Sequence, residues 1–140
     1  MSDGLSLSYS NAALDKERGT YRLILGGLLV LDGLTGLALL LVPRRVMALL
    51  ELGDPASADW TRIAGLLALI VTALLWTGRH HPNRAKLVNL IGISSRFLFG
   101  VALMLIGGRL LWIGLFEAVA ALVLLRFYYR FFAAMVMTRP

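Results

Sequence analysis

Arg96 stands in the middle of Ile91–Gly107, an apolar run close to the about 20 helical residues that cross the hydrocarbon core of a bilayer. In hydrocarbon every backbone N–H and C=O needs an internal partner, so such a run has to be helical. Its guanidinium stays ionised at any accessible pH, so at that depth it requires carboxylates, carbonyls or water supplied by neighbouring helices. Three further apolar runs can supply those neighbours. With Leu87–Gly107 as the third, the spans are expected at about 21–42, 57–77, 87–107 and 110–130. The predicted fold is all-α: an integral membrane four-helix bundle over residues 21–132, between a polar N-terminal tail (1–20) and a C-terminal tail (133–140).

Composition agrees with a bilayer as solvent. The chain of 140 residues is 59% hydrophobic and 16% charged, with a mean hydropathy of +0.78, whereas a soluble domain is about half apolar and a quarter charged. A formal charge of +6 would suggest nucleic acid in a soluble chain, but here the basic residues flank apolar runs. They point to anionic lipid and away from nucleic acid. The absence of cysteine rules out disulfides, thiol chemistry and cysteine-ligated metal.

The first twenty residues lack the basic-then-apolar order of a secretory signal, so they are expected to stay on the protein. They read as a disordered tail or as a short helix capped by Asn11 and running to Arg18. Tyr21–Val42 carries Gly26, Gly27, Gly33 and Gly36, residues small enough for a neighbouring backbone to approach. Asp32 lies one turn from Gly36 on the same face, which directs its carboxylate to a helix contact. Pro43 closes this span and opens Pro43–Gly53, where Val46, Leu49 and Leu50 recur at helical spacing. That segment is expected to be a short interfacial helix ending at Gly53, either a plain linker or a lid over the bundle.

The second span opens with Ser57 or Asp59 as N-cap and is bounded by Trp60 and Trp76, spaced for the two interfacial belts. Arg62 sits just inside it, placed either to snorkel to the near surface or to turn inward toward a carboxylate. The loop Gly78–Lys86 holds His80 and His81, whose side chains diverge and have no Cys, Asp or Glu beside them, so no metal is expected. In the third span Asn89, Gly92 or Ile93, Arg96 and Gly100 share one helical face, with Ser94 and Ser95 beside it as possible further lining. Gly107-Gly108-Arg109 turns the chain into the last span, where Gly114 and Ala118 form a small-xxx-small pair and Glu117 lies on an adjoining strip. The basic and aromatic run from Arg126 to Phe132 marks a lipid interface. No internal repeat relates the two halves.

Lysines and arginines fix the expected orientation. Lys16, Arg18, Arg22, Arg79, Arg84, Lys86, Arg126, Arg130 and Arg139 fall at one end of the spans, nine in all, against Arg44, Arg45, Arg62 and Arg109 at the other. The positive-inside rule puts both termini in the cytoplasm, and a bacterial inner membrane is the expected location. Depth follows from the rise of about 1.5 Å per residue. Counted from Gly108, Arg96 is twelve residues away and Glu117 nine, an offset of about 4.5 Å that an arginine side chain spans. Asp32 lies near the same plane. The expected site is an intramembrane polar network of alternating sign, Asp32, Arg96, Glu117 and Arg62, in which loss of either acid would strand the arginine.

Gly33, Gly36 and Pro43 in the first span, the pattern Trp60-x-Arg62-x-x-Gly65, Arg96 in the third span and an acid in the fourth resemble the small four-span DoxX-like or BphX-like membrane proteins. That resemblance implies a four-span bundle and, for some members, work beside quinone-linked oxidoreductases. Three functions compete on sequence alone. The first is an accessory or assembly subunit of a larger membrane complex, in contact with other transmembrane helices. The second is a binding protein or enzyme for an apolar ligand such as a quinone or isoprenoid, and the third a small proton-coupled transporter. No motif assigns a catalytic residue or a cofactor.

Overall fold

A computed structural model describes residues 3–51, 58–82 and 84–137, with side chains from residue 11 onward. Five helices follow in order: α1 (Asp3–Leu41), α2 (Pro43–Leu50), α3 (Ala58–His80), α4 (Lys86–Ile106) and α5 (Leu110–Met137). All except α2 are long and apolar enough to cross a membrane. Each of these four spans coincides with one of the four apolar runs of the sequence.

Two helix ends depart from expectation. Residues 3–20 are neither a tail nor a separate short helix, because α1 runs unbroken from Asp3 through Leu41. At about 1.5 Å per residue its 39 residues reach nearly 60 Å, about twice the thickness of a hydrocarbon core, so α1 is much longer than a single crossing requires. Likewise α5 runs to Met137 instead of ending near residue 130. The two overhangs support each other: Tyr21, Tyr128 and Phe131 cluster with ring centroids 5.3 to 6.4 Å apart, and Arg130 donates to Glu17 at 2.7 Å.

Packing in α5 follows a heptad seam. Leu110, Gly114, Ala121, Leu124, Tyr128, Phe131 and Met135 are all buried, and with half-buried Glu117 they recur at alternating steps of four and three residues. That 3.5-residue period keeps one stripe facing its partners along the whole helix. Helix α5 packs most closely on α4, and α1 packs on α3 in the same way. Within each pair a glycine meets a glycine. A Cβ at Gly65 would lie 2.7 Å from the Gly36 carbonyl oxygen, and one at Gly114 would lie 2.5 Å from that of Gly100. Contacts between α1 and α5 join the two pairs.

Pro43 occupies the first turn of α2, where its missing N–H is no loss. The helix ends at Glu51 in the left-handed conformation (φ 56°), two residues short of Gly53, which lies outside the described residues. Ser57 lies outside them too; α3 starts at Ala58 and carries Asp59 inside its first turn, where an acid complements the helix dipole. Between α4 and α5 the chain turns on Gly107 and Gly108, both at positive φ (81° and 61°), which a Cβ would disfavour. Arg109, at that turn, reaches back to α2: it donates to the Leu49 carbonyl at 2.7 Å and pairs with Glu51.

Candidate functional site

The buried charges meet at one arginine. Arg96 belongs to the stripe Asn89, Gly92, Ile93, Arg96, Gly100, which is the buried face of α4. From there its guanidinium reaches across the bundle to one acid on each of two other helices, α5 and α1. Nη1 donates to Glu117 Oε2 on α5 at 2.6 Å, and Nη2 donates to Asp32 Oδ2 on α1. Side-chain exposure is 7% for Arg96 but 21% for Asp32 and 15% for Glu117, so the cation is sealed while the rim of each acid is not. Each carboxylate spends one oxygen on the arginine; its second oxygen takes no hydrogen bond from the described residues.

Arg62 does not join them. It pairs with Asp59 at 3.1 Å, three residues earlier on the same helix, and both side chains are largely exposed. A local acid at i−3 with solvent at hand outcompetes a distant buried one, and such a pair contributes about 1 kcal/mol or less. The network of four expected from sequence is therefore a triad. Its formal sum is one cation against two anions, a net charge of −1 in place of the expected neutrality.

The expected extra lining divides in the same manner. Asn89 is buried, but away from the triad: Nδ2 donates to the Gly78 carbonyl on α3 at 3.3 Å, clamping α4 to α3 two residues before α3 ends. Ser94 and Ser95 face outward, and the Ser95 hydroxyl donates back to the Gly92 carbonyl at 3.0 Å. Steps of about 100° per residue rotate both serines off the Asn89–Arg96–Gly100 stripe. His80 and His81 are both exposed, with ring centroids 6.5 Å apart, and no cluster of three metal-ligating residues exists among the described residues.

Three further polar contacts were not legible as such. Arg79 Nε donates to the Arg22 carbonyl at 3.0 Å, with its guanidinium 4.9 Å from the Trp76 ring and lying over Gly26, where a Cβ would come within 2.5 Å. Trp76 and Arg79 three residues apart, with a glycine in the facing span, were the available signal. The Glu17–Arg130 and Glu51–Arg109 pairs join segments 113 and 58 positions apart, for which no local pattern gives warning.

Chemically, the triad offers two acceptor oxygens partway along the apolar helices beside a fixed cation. No family model matches the chain, and no curated protein or solved structure matches it significantly. Two hollows among the described residues lie elsewhere: about 500 Å³ along the outer face of α5, and about 240 Å³ between α2 and the α4–α5 turn. Neither is lined by Asp32, Arg96 or Glu117.

Proposed function

We propose that the protein is an accessory or assembly subunit of a larger complex in a bacterial inner membrane, with both termini in the cytoplasm. The observation that carries this reading is the outward position of Ser94 on α4. It lies two residues from Arg96, at about the same depth, and makes no side-chain hydrogen bond within the described residues. A hydroxyl facing hydrocarbon gains from a neighbouring helix that accepts its proton. Gly27 on α1 is open in the same sense, since a Cβ there would touch nothing within 4 Å. Asp32, Arg96 and Glu117, by contrast, pair with one another inside the bundle, as internal pins do. The nine-to-four distribution of Lys and Arg supports the orientation, and the likeness to DoxX-like proteins in Trp60, Arg62, Gly65, Arg96 and Glu117 supports the subunit role.

Extraction of the tagged full chain from its native membrane in mild detergent tests the proposal. A stoichiometric membrane partner should co-purify, and Ser94→Phe should remove it without altering the thermal unfolding of the isolated protein. A chain that purifies alone, or a partner indifferent to Ser94→Phe, would falsify the subunit reading.

One observation favours a second reading. A triad with two acids to one arginine is completed by a single cation, and a proton is the smallest that fits where both acids remain partly exposed. On this reading the protein is a small proton-coupled transporter. A pH step across proteoliposomes should then drive a transient current that Asp32→Asn with Glu117→Gln abolishes; equal currents in wild type and double variant would exclude it.

A further inference from the structure

We infer that the outer face of α5 at the end shared by the termini is a site for one anionic phospholipid, with its phosphate on Arg126 and Arg130 and its acyl chains along Leu122 and Leu125. The shallow, open hollow there, about 500 Å³, is bordered by Leu122, Leu125, Arg126, Tyr129 and Arg130, all from one helix. At steps of about 100° these five positions share one face of α5, turned away from the seam formed by Ala121, Leu124, Tyr128 and Phe131. Chemistry changes along that face in the order a lipid presents it. Leucines come first, from the membrane interior, and the two arginines and a phenol follow.

Depth agrees with that order. Arg126 lies nine residues beyond Glu117, about 13.5 Å along the axis, and Arg130 one turn further, which sets the pair at the edge of a hydrocarbon core about 30 Å thick. Arg126 and Arg130 at i and i+4 are neighbours on the helix surface, so both guanidinium groups can reach one phosphate. Tyr129, 70% exposed, lies between them with its hydroxyl available as a donor. Glu17 on α1 accepts from Arg130 Nη2 at 2.7 Å and holds that side chain in place. Arg126 makes no side-chain bond with the described residues. One cation is thus free and the other is oriented with donors to spare. Charge complementarity selects an anionic headgroup, and the leucines select one attached to acyl chains over a free phosphate. This inference is independent of the subunit proposal.

Native mass spectrometry of the full chain from nanodiscs tests it, with equal amounts of phosphatidylglycerol and phosphatidylcholine. The wild type should retain phosphatidylglycerol over phosphatidylcholine by about fivefold or more for the two arginines together. Arg126→Gln with Arg130→Gln should erase that preference, whereas Arg126→Lys should keep part of it, since charge survives but the planar fork does not. Glu17→Gln should not lower retention, and neither should Arg44→Gln with Arg45→Gln at the opposite end. Unchanged preference in the Arg126/Arg130 double variant, an equal loss in the Arg44/Arg45 variant, or displacement of the lipid by millimolar inorganic phosphate would each overturn the site.

Discussion

Arg96 can neither deprotonate nor reach water without passing through the bundle, so its two carboxylates act as a pair of alternatives. This alters what the loss of one acid should do. Were Arg96 held by a single carboxylate, removing it would leave a buried charge unpaired, at about 3–5 kcal/mol. With two, Asp32→Asn or Glu117→Gln alone leaves a balanced ion pair and removes the excess negative charge. Each single variant should therefore lose about 1 kcal/mol or less, while the double variant loses about 3 kcal/mol or more, well beyond the sum of the singles. Thermal unfolding of the four proteins in one detergent checks this, and strictly additive losses would show that the acids do not share the arginine. Tyr21 poses a separate question at this scale. It is fully buried among Tyr128 and Phe131, and its hydroxyl has no hydrogen-bond partner among the described residues. A buried unmatched hydroxyl weakens a core, so Tyr21→Phe should hold or raise stability by about 1 kcal/mol; a clear drop would mean that the phenol binds a water or lipid group.

Elements explain which parts of this arrangement could be read in advance. The spans were legible because hydrocarbon permits nothing but helix over such runs, and α2 because Pro43, Val46, Leu49 and Leu50 combine a start signal with a helical period. The triad was legible because the rise per residue fixes depth: Arg96, Glu117 and Asp32 had to lie near one plane. Arg62 takes the surface direction of the two that the sequence left open and so falls outside the network, because depth says nothing of direction and Asp59 offered a nearer partner. The overhang of α1 was obscured by the polar residues around Leu14, which is half-buried against the core although its neighbours Asp15 and Lys16 are exposed. Helix contacts yield a prediction of their own. A Cβ at Gly100 would lie 2.8 Å from both the Ala118 amide nitrogen and the Gly114 carbonyl oxygen, backbone atoms that cannot step aside, whereas Gly27 has open space. Gly100→Ala should push α4 from α5 and lose about 1–3 kcal/mol, and Gly27→Ala should be neutral or slightly stabilising in the same unfolding assay.

At the scale of the whole molecule the two halves are built differently. Every member of the buried apolar cluster, from Tyr21, Leu25 and Leu29 on α1 to Leu75 on α3, Ile93 on α4 and Ala121 to Met135 on α5, lies on the same side of the triad, toward the termini. On the other side the close contacts are the glycine crossings inside each pair, Gly36 with Gly65 and Gly100 with Gly114. What bridges the pairs at that end is Arg109, holding the Leu49 carbonyl and Glu51 from the α4–α5 turn. Cohesion between the pairs thus comes from apolar packing at one end and from a polar strap at the other. Because the strap is about half exposed, breaking it should alter global stability by no more than about 1 kcal/mol. Its effect should be local. Arg109→Ala is expected to raise amide hydrogen exchange in residues 34–41 and 103–113 while leaving residues 21–29 and 121–131 protected. Leu124→Ala, which opens a void in the sealed half, should instead lower global stability by about 2 kcal/mol, the low end of the range for such truncations because transfer from lipid to protein interior contributes little. Exchange that rises evenly in both halves of the Arg109 variant would show a single cooperative bundle, held no differently at its two ends.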